Sequence, residues 1–457
     1  MHSDAAASPN QPAWSELYAD HLARQLAQIE AALPLSGCER LLIFSGTDKV
    51  LFKDDHVYPF HANPYFRRLL PLPFLADSAV LIEPGSKPKL FYPNPSDFWH
   101  QSAGEPEGFW VDSFEIVEIE RAGQIGQALT DPASSAFIGE ETAMAAGWGL
   151  QHCNPETLLH VLDWASSIKT DYELASLRQA SQIAVSGHLA AREAFLEGYS
   201  EFGINLAYLA VTGQRECELP YGNIVALNEN AAVLHYQHQQ RMAPEKIHSF
   251  LLDAGAQVNG YASDITRTWA YPAGSAGSVA FNALLKQMEQ LQLKLCEQSV
   301  AGASFVELNR RCHEMLAQVL VESKLVRCSA EAALEKGITR TFMPHGLGHL
   351  LGTLVHDSAG RVSDAKGTEL APPPEHPFLR LTRELQPGMV LTIEPGLYFI
   401  EPLLVELANR AESKLVDWAV VEKLRPFGGI RIEDNLRITE QAPENLTRDA
   451  FAGLESA

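Results

Sequence analysis

The sequence lacks a long hydrophobic run and any sign of a secretion signal. No stretch of its 457 residues approaches the roughly 18 consecutive apolar residues of a membrane-spanning helix. The N-terminal segment, MHSDAAASPNQPAWSELYADHL, has no apolar core behind a basic start, so no signal peptide is predicted. We therefore expect a cytoplasmic protein that makes no membrane contact.

Closely spaced cysteines are also missing. The six cysteines are Cys38, Cys153, Cys217, Cys296, Cys312 and Cys328. None forms a CxxC pair, which argues against zinc ribbons and thioredoxin-type redox sites. Widely spaced thiols in a chain of this length are typical of reduced, structural cysteines in the cytosol.

Basic residues are scarce. The chain has 35 Lys and Arg against 57 Asp and Glu, a formal net charge of −22. Binding to nucleic acid or to anionic membranes needs clustered basic side chains, so both are disfavoured. Most of the acidic excess is interpreted as a solvated surface, and a smaller part as carboxylates gathered around cations.

What the sequence has is material for two or three folded domains. Hydrophobic residues make up 46% of the chain and charged residues 20%, as in ordinary globular proteins. Residues 1–12 are small and polar, and are predicted to be disordered. Between them and residue 170, a helix at 14–33 and strands at 40–45, 79–83 and 89–92 predict a small α/β N-terminal domain.

The pattern then changes to long helices mixed with antiparallel strands. Residues 162–197 are strongly helical, and Thr170 or Asp171 can cap this helix, so a domain boundary is placed near residue 170. Further helices are predicted near 202–216, 277–300, 304–323 and 330–336, and strands at 248–270, 388–399 and 429–439. The second domain is predicted to span 171–440, followed by a C-terminal tail at 441–457.

The stretch Phe250–Trp269 predicts a β-hairpin whose turn is Asn259-Gly260, the pair favoured in a type I′ loop. The pairing that follows from this turn is Val258 with Tyr261, Asp253 with Thr266, and Asp264 with Gly255. Asp253 and Asp264 then share one face as diagonal neighbours, roughly 7–8 Å apart. Two carboxylates so placed can converge on two ions about 3.5–4 Å apart, although two acids on a solvated hairpin face remain an equal alternative.

Two further strands each carry a glutamate. Glu394 ends the run from Met389, and Glu433 lies in Gly429–Ile438 on the face that carries Arg431. Alone, each pattern is that of a half-exposed strand with a surface acid. The surrounding sequences, LTIEPGLYF and PFGGIRIEDN, predict sharp turns and close backbone approach.

Three histidines occur within twelve residues, in MPHGLGHLLGTLVHD. His345, His349 and His356 alternate with glycines, so we expect a loop leading into a short structured run. A single histidine is more often structural than a ligand. Three of them, beside four candidate carboxylates elsewhere, favour a metal site.

Together these segments resemble the creatinase/aminopeptidase P family of metallopeptidases, and within it the bacterial Xaa-Pro dipeptidases (prolidases), a group that includes organophosphorus acid anhydrolases. LPYGNIVALNENAAVLHYQHQ, DAGAQVNGYASDITRT, PHGLGHLLG, LQPGMVLTIEPGLYFI and RPFGGIRIEDN carry the resemblance. It implies an α+β fold, with a pita-bread catalytic domain behind a smaller α/β domain, and a homodimer. GTLVHD departs from the usual GLQVHD at Thr353 and Leu354, which could alter the pocket but touches no ligand.

The resemblance also implies a ligand set for two divalent metal ions. The five matching positions are Asp253, Asp264, His349, Glu394 and Glu433. Asp264 and Glu433 would bridge the ions, Asp253 would complete one shell, and His349 with Glu394 the other. Oxygen-rich ligation favours Mn²⁺, with Co²⁺ or Zn²⁺ as alternatives. Arg431, beside Glu433, is expected to balance the remaining charge.

The implied reaction is attack of a metal-activated hydroxide on the Xaa-Pro carbonyl. Glu394 is expected to carry the proton from water to the proline nitrogen. His345 and His356 are expected to stabilise the oxyanion or hold the scissile group.

The remaining carried-over positions are those of substrate residues. Arg380 matches the residue that grips the proline carboxylate, and Tyr221, His235 and Val355 match residues of the pocket. Asp55, in LFKDDHVYPF, matches a residue of the N-terminal domain that reaches into the pocket, in cis or from a partner subunit.

Three alternatives stay open. The first is an aminopeptidase of the same family that acts on longer peptides. The second is a non-catalytic peptide-binding member of the fold. The third is hydrolysis of phosphotriesters as a side activity of the same centre.

Overall fold

The computed structural model of the chain describes residues 13–96, 98–99, 104–272 and 275–455. The predicted disorder of residues 1–12 falls outside them. The chain forms two compact units, one comprising Met1–Ser176 with Asp364–Thr368, and one comprising Leu177–Ser363 with Glu369–Ala457. Within the described part of the chain, no helix combines the length and the apolar character needed to cross a membrane.

The first unit is built on a six-stranded mixed sheet. Its elements are α1 (Trp14–Ala32), β1 (Arg40–Phe44), α2 (Pro64–Leu69), β2 (Ala79–Ile82), β3 (Lys89–Pro93), β4 (Glu115–Ile119), α3 (Gly123–Ala128), β5 (Ser135–Ile138), α4 (Thr142–Gly147), β6 (His152–Cys153) and α5 (Glu156–Ser166). The strand order is β4-β3-β2-β1-β5-β6, with β1 antiparallel to β2 and parallel to β5. β1, β2 and β5 are apolar and almost wholly buried, as expected of strands covered on both faces.

The helical signal that begins near residue 162 belongs to two helices. α5 ends at Ser166, and α6 (Asp171–Leu196) begins after a short break. The Thr170 hydroxyl accepts from Glu173 N, and the Glu173 carboxylate accepts from Thr170 N. This reciprocal capping box satisfies backbone donors at the start of α6, which fixes where the long helix begins.

The second unit combines helices with four small antiparallel sheets. Its elements after α6 are α7 (Glu201–Thr212), β7 (Ile224–Leu227), β8 (Ser249–Asp253), β9 (Gln257–Val258), β10 (Tyr261–Ala262), β11 (Thr266–Ala270), α8 (Ala276–Gln298), α9 (Phe305–Glu322), α10 (Ala330–Glu335), α11 (Ile338–Phe342), β12 (Val390–Ile393), β13 (Gly396–Tyr398), α12 (Glu401–Ala408), α13 (Trp418–Leu424), β14 (Gly429–Arg431), β15 (Asp434–Arg437), β16 (Glu444–Asn445) and α14 (Leu446–Glu455). The sheets are β11-β8-β7, β9-β10, β12-β15-β16 and β13-β14.

Local sequence explains most helix starts in this unit. Ser200, Ser275, Ser304 and Ser329 each precede a helix and accept a hydrogen bond from a backbone N–H in its first turn. Gly213, in the left-handed conformation, caps α7 after its last residue, Thr212. The helix therefore stops short of the predicted residue 216.

The last seventeen residues contain ordered structure. β16 pairs with β15, and α14 packs against β15. Asp434, wholly buried on β15, accepts from Arg267 at 2.7 Å and from Arg448 of α14 at 2.7 Å. Burial alone would raise the pKa of Asp434, but the two guanidinium groups hold it well below the usual range. The carboxylate therefore joins α14 to the sheets.

Candidate active site

A cavity of about 870 Å³ opens in the second unit. Twelve of the thirteen site residues expected from the sequence line it: Tyr221, His235, Asp253, Asp264, His345, His349, Val355, His356, Arg380, Glu394, Arg431 and Glu433. The thirteenth, Asp55, belongs to the first unit. Its side chain is 95% exposed and pairs with His56 at 3.2 Å.

The hairpin brings Asp253 and Asp264 together in the predicted register. Val258 pairs with Tyr261 and Asp253 pairs with Thr266, so that prediction is confirmed. The Tyr221 hydroxyl donates to one oxygen of each carboxylate, at 2.8 Å to Asp253 Oδ1 and 2.6 Å to Asp264 Oδ1. The two acids therefore converge on one phenol.

Glu394 and His349 approach from a different pair of segments. Glu394 follows β12, and His349 lies in the predicted loop, which runs beside β12. Thr392 N donates to His349 O at 2.9 Å, and Glu394 N donates to Leu347 O at 2.9 Å. A side chain at Gly348 would meet Thr392 O at 2.0 Å, so the loop approaches β12 this closely only with glycine there.

Glu433 and Arg431 are buried, which excludes the half-exposed strand that the alternating pattern alone would indicate. β14 and β15 are separate strands. Arg431 ends β14, Glu433 lies between the two strands, and both side chains are buried. The Thr266 hydroxyl donates to Glu433 Oε2 at 2.7 Å and accepts from Arg431 Nε at 3.1 Å. The alternating pattern misleads because the polar face covers a carboxylate cluster instead of facing solvent.

Arg431, expected to balance the remaining charge of the cluster, forms its direct ion pair with Asp253. Its Nη2 donates to Asp253 Oδ2 at 2.7 Å, whereas it reaches Glu433 through Thr266. Arg431 therefore balances the charge of Asp253 first.

The ligating atoms of Asp264, His349 and Glu433 lie within 4.8 Å of one another. His349 Nε2 is 3.4 Å from Asp264 Oδ2 and 3.7 Å from Glu394 Oε1. His349 Nδ1 donates to Leu350 O at 3.0 Å. That hydrogen bond fixes the ring and leaves Nε2 free to act as a ligand.

The acids repel one another in a buried setting. Burial raises the pKa of Glu394 to about 7 and raises that of Glu433 well above its usual range, with the neighbouring carboxylates adding to both shifts. Burial also raises the pKa of Asp253 against the effect of Arg431. Asp264 is the exception: burial alone would raise its pKa, but the contact with His349, the Tyr221 hydroxyl and the charge of His356 together lower it.

This donor set fits divalent cations. The four carboxylates directly contact one guanidinium, that of Arg431, and the imidazole of His349, so their negative charge is only partly balanced. Ions of charge +2 would remove the repulsion, and ligation by oxygens with one nitrogen suits hard to borderline metals. We therefore assign metal-holding capacity to Asp253, Asp264, His349, Glu394 and Glu433.

The other two histidines of the loop make different contacts. His345 Nδ1 donates to Gly346 O at 2.8 Å, and its Nε2 accepts from Tyr398 OH at 2.8 Å. Both of its ring nitrogens are therefore engaged. The ring of His356 meets His349 edge-on, with centroids 4.4 Å apart, and burial followed by the charge of His349 lowers the pKa of His356 to about 4.

Beyond the cluster, the cavity wall is largely apolar and cationic. Val355 lies beside His356, and Arg380 lies close enough for its charge to lower the pKa of His356 further. His235 acts on His356 in the same way. No described carboxylate pairs with Arg380, so this exposed guanidinium is available to an anionic ligand.

Several residues of the site were not predicted from the sequence. Tyr398 accepts from Arg431 Nη1 at 3.1 Å while donating to His345, so it connects the two. Thr266 carried a usable signal, since the predicted register places it opposite Asp253. Asn435, whose Oδ1 accepts from Asp264 N at 3.1 Å, carried none because it is remote in sequence.

Comparisons with known proteins cover nearly the whole chain. Residues 16–164 match the family model described as the Xaa-Pro dipeptidase N-terminal domain, and residues 175–440 match that of metallopeptidase family M24. A curated Xaa-Pro dipeptidase of Shewanella amazonensis is 45% identical over 434 residues, 95% of this chain and 98% of its own length. One from Pectobacterium atrosepticum is 46% identical over 441 residues, with the same coverage.

Solved structures resemble the fold at lower identity. A zinc-substituted aminopeptidase P of Escherichia coli in complex with product is 22% identical, with a TM-score of 0.71 over 94% of this chain and 95% of that chain. Proline aminopeptidase P II of Yersinia pestis is 22% identical, with a TM-score of 0.71 over 95% and 100%. At this identity the likeness establishes the fold.

Proposed function

The chain belongs to metallopeptidase family M24, and from this membership we propose that it hydrolyses Xaa-Pro dipeptides in the cavity that holds the carboxylate cluster. The predicted architecture, a pita-bread catalytic domain behind a smaller N-terminal domain, is confirmed by the family matches and the structural likeness. One observation carries the proposal: the five proposed ligands line the same cavity as Arg380, which pairs with no described carboxylate.

In this proposal Asp253, Asp264, His349, Glu394 and Glu433 hold two divalent ions. When bound, such ions polarise a carbonyl and make a water molecule a better nucleophile near neutral pH. The oxygen-rich donors favour manganese. Asp264 and Glu433 are the proposed bridging ligands, as the family resemblance implies, and their ligating atoms lie within 4.8 Å of each other.

Glu394 is the proposed proton carrier. Its carboxyl belongs to the cluster and lines the cavity, where a substrate and an attacking water would meet. It would take the proton of the attacking water and deliver it to the proline nitrogen as the C–N bond breaks. That nitrogen has no N–H in the substrate, so the site needs no acceptor for it.

His356 is the proposed donor to the developing oxyanion. Its ring faces the cavity beside His349. His345 has both nitrogens engaged, so in the proposal it orients Tyr398 and the scissile group through that bonded chain. Arg431 holds Asp253 in place at 2.7 Å.

Arg380 is the proposed clamp for the proline carboxylate. A guanidinium offers the planar fork that binds a carboxylate through two hydrogen bonds. His235, Tyr221 and Val355 would line the same pocket. Asp55 of the N-terminal domain is proposed to reach the substrate pocket, either of its own chain or of the partner subunit in a homodimer. Light scattering can establish whether the protein is a homodimer. The six free cysteines are consistent with action in the cytoplasm.

A comparison of substrates tests the proposal against the aminopeptidase alternative. With manganese present, an Xaa-Pro dipeptide should be cleaved at least about tenfold more efficiently than the corresponding Xaa-Pro-Yaa tripeptide, because only the dipeptide places a carboxylate at Arg380. Equal or better cleavage of the tripeptide would favour the aminopeptidase. No cleavage of either by a metal-loaded protein would favour the non-catalytic alternative. A phosphotriester assayed alongside would measure the proposed side activity.

A further inference from the structure

Helix α9 carries two buried polar side chains one turn apart, outside the ligand set. Asn309 and His313 are each 1% exposed, on a helix face that is otherwise apolar. Residues four apart lie on the same side of a helix. The segments that these two side chains contact both lead directly into the cavity.

Asn309 contacts the loop that carries the metal-ligating histidine. Its Oδ1 accepts from Leu347 N at 3.0 Å. The carbonyl of the same Leu347 accepts from Glu394 N at 2.9 Å. One amide oxygen thus fixes a residue that lies two positions before His349 and whose carbonyl accepts a hydrogen bond from the backbone of Glu394.

His313 contacts the segment that carries the proposed carboxylate clamp. Its ring packs against that of His376, with centroids 4.4 Å apart. His376 lies in the proline-rich segment 371–380, four residues before Arg380, and its carbonyl accepts from Leu379 N at 3.1 Å. On its other side, His313 Nδ1 lies 3.1 Å from the Thr339 hydroxyl in α11.

Each of these polar side chains is energetically unfavourable on a buried helix face, because one of its polar atoms is unsatisfied within the part of the chain that the structure describes. Asn309 Nδ2 and His313 Nε2 have no hydrogen-bond partner among the described residues. Burial, followed by the charge of His376, lowers the pKa of His313 to about 3, so the ring is neutral at physiological pH. Buried polar groups of this kind usually have a role beyond helix stability.

We propose that Asn309 and His313 are positioning residues with separate tasks. Asn309 sets the metal end of the site through Leu347, and His313 sets the carboxylate-binding end through His376. The division rests on the proposed function, since it takes Arg380 as the clamp for a substrate carboxylate.

The first arm of the test measures metal binding without turnover. Asn309→Ala removes the acceptor for Leu347 N. The affinity of this variant for Mn²⁺ should therefore fall about 10- to 100-fold in calorimetric titration of the metal-free protein. His313→Ala should change that affinity by less than about threefold. Because this arm needs no substrate, it holds even if the parent protein does not cleave Xaa-Pro.

The second arm measures kinetics at saturating metal. His313→Ala should raise KM for an Xaa-Pro dipeptide at least about fivefold with kcat nearly unchanged, because the Arg380 segment loses its contact with α9. His376→Ala, a change on the partly exposed loop side, should reproduce this effect. The double variant should be no worse than either single variant, since all three break the same contact.

Leu316→Ala is the matched control, since Leu316 is buried on the same helix. It should lower Tm without either selective effect. If Asn309→Ala and His313→Ala instead change metal affinity and KM in the same proportions as Leu316→Ala, both residues are ordinary core residues and the proposal is wrong. A parent protein that binds metal but cleaves no Xaa-Pro dipeptide would instead contradict the proposed function.

Discussion

At the scale of single residues, the proposed function makes protons and metal ions compete for the same carboxylates. Burial raises the pKa of Glu394 to about 7, while the usual value lies near 4.5. Metal-free protein therefore holds a proton on this carboxyl below pH 7, and a cation must displace it. Glu433, whose pKa is also raised by burial, acts in the same direction.

The sign of the resulting pH dependence is fixed. Since the proton is bound at pH 6 and largely lost at pH 8, affinity for Mn²⁺ should increase with pH, by about tenfold over this interval from Glu394 alone. Titration calorimetry of the metal-free protein at the two pH values measures the ratio. Glu394→Gln should have a smaller ratio as well as a lower affinity. Equal affinities at pH 6 and pH 8 for the parent would show that Glu394 carries no proton that metal must displace.

A second residue-scale prediction concerns Arg380. A charge-assisted contact with a substrate carboxylate contributes on the order of 1.5–3 kcal/mol, so Arg380→Ala should reduce kcat/KM for Xaa-Pro by at least about tenfold. Amidation of the proline carboxylate should cost the parent enzyme a similar factor and the variant little. Arg311→Ala, an exposed change on α9, is the control and should behave like the parent. If amidation penalises the parent and Arg380→Ala equally, another group holds the carboxylate.

At the scale of elements, the site depends on how closely backbones approach. Both the hairpin and the histidine loop place a glycine where a side chain would enter a neighbouring backbone: Gly255 against Ser263 O and Gly348 against Thr392 O, each at 2.0 Å. These contacts set the spacing between the segments that carry the acids and His349.

Gly348→Ala should therefore displace the histidine loop from β12. We expect a loss of about 1–3 kcal/mol in the free energy of unfolding, together with at least about a tenfold loss of Mn²⁺ affinity as His349 moves. Denaturant titration and calorimetry measure the two effects. Gly123→Ala is the control, because a side chain there meets nothing within 4 Å. Unchanged metal affinity in Gly348→Ala would show that the loop tolerates the shift without moving His349.

The elements also show what sequence could predict. Turn chemistry at Asn259-Gly260 determines the hairpin register, because each of these residues adopts a positive φ there. Helix periodicity located α8 and α9 closely. The buried charge on β14 was not predictable from alternation, because a polar face that covers a cluster of buried carboxylates has the same pattern as one that faces water. Contacts such as Asn435 with Asp264 join residues 171 apart, and no local pattern encodes them.

At the scale of the whole molecule, the proposed ligands come from four separate stretches of the second unit. The hairpin supplies two, the loop and β12 supply two, and the link between β14 and β15 supplies Glu433. A site assembled from such distant segments forms only when the unit is folded. Metal binding should consequently stabilise the fold, since the unfolded chain cannot present the same ligands.

The central claim is that this metal cluster cleaves Xaa-Pro dipeptides, and metal depletion followed by restoration tests it most directly. Turnover of an Xaa-Pro dipeptide should vanish in chelated, metal-free protein and return as Mn²⁺ is added, reaching its maximum at two ions per chain. Asp264→Ala, which removes a proposed bridging ligand, should bind metal poorly and stay inactive over the same titration. Full turnover by protein shown to be metal-free would contradict the account.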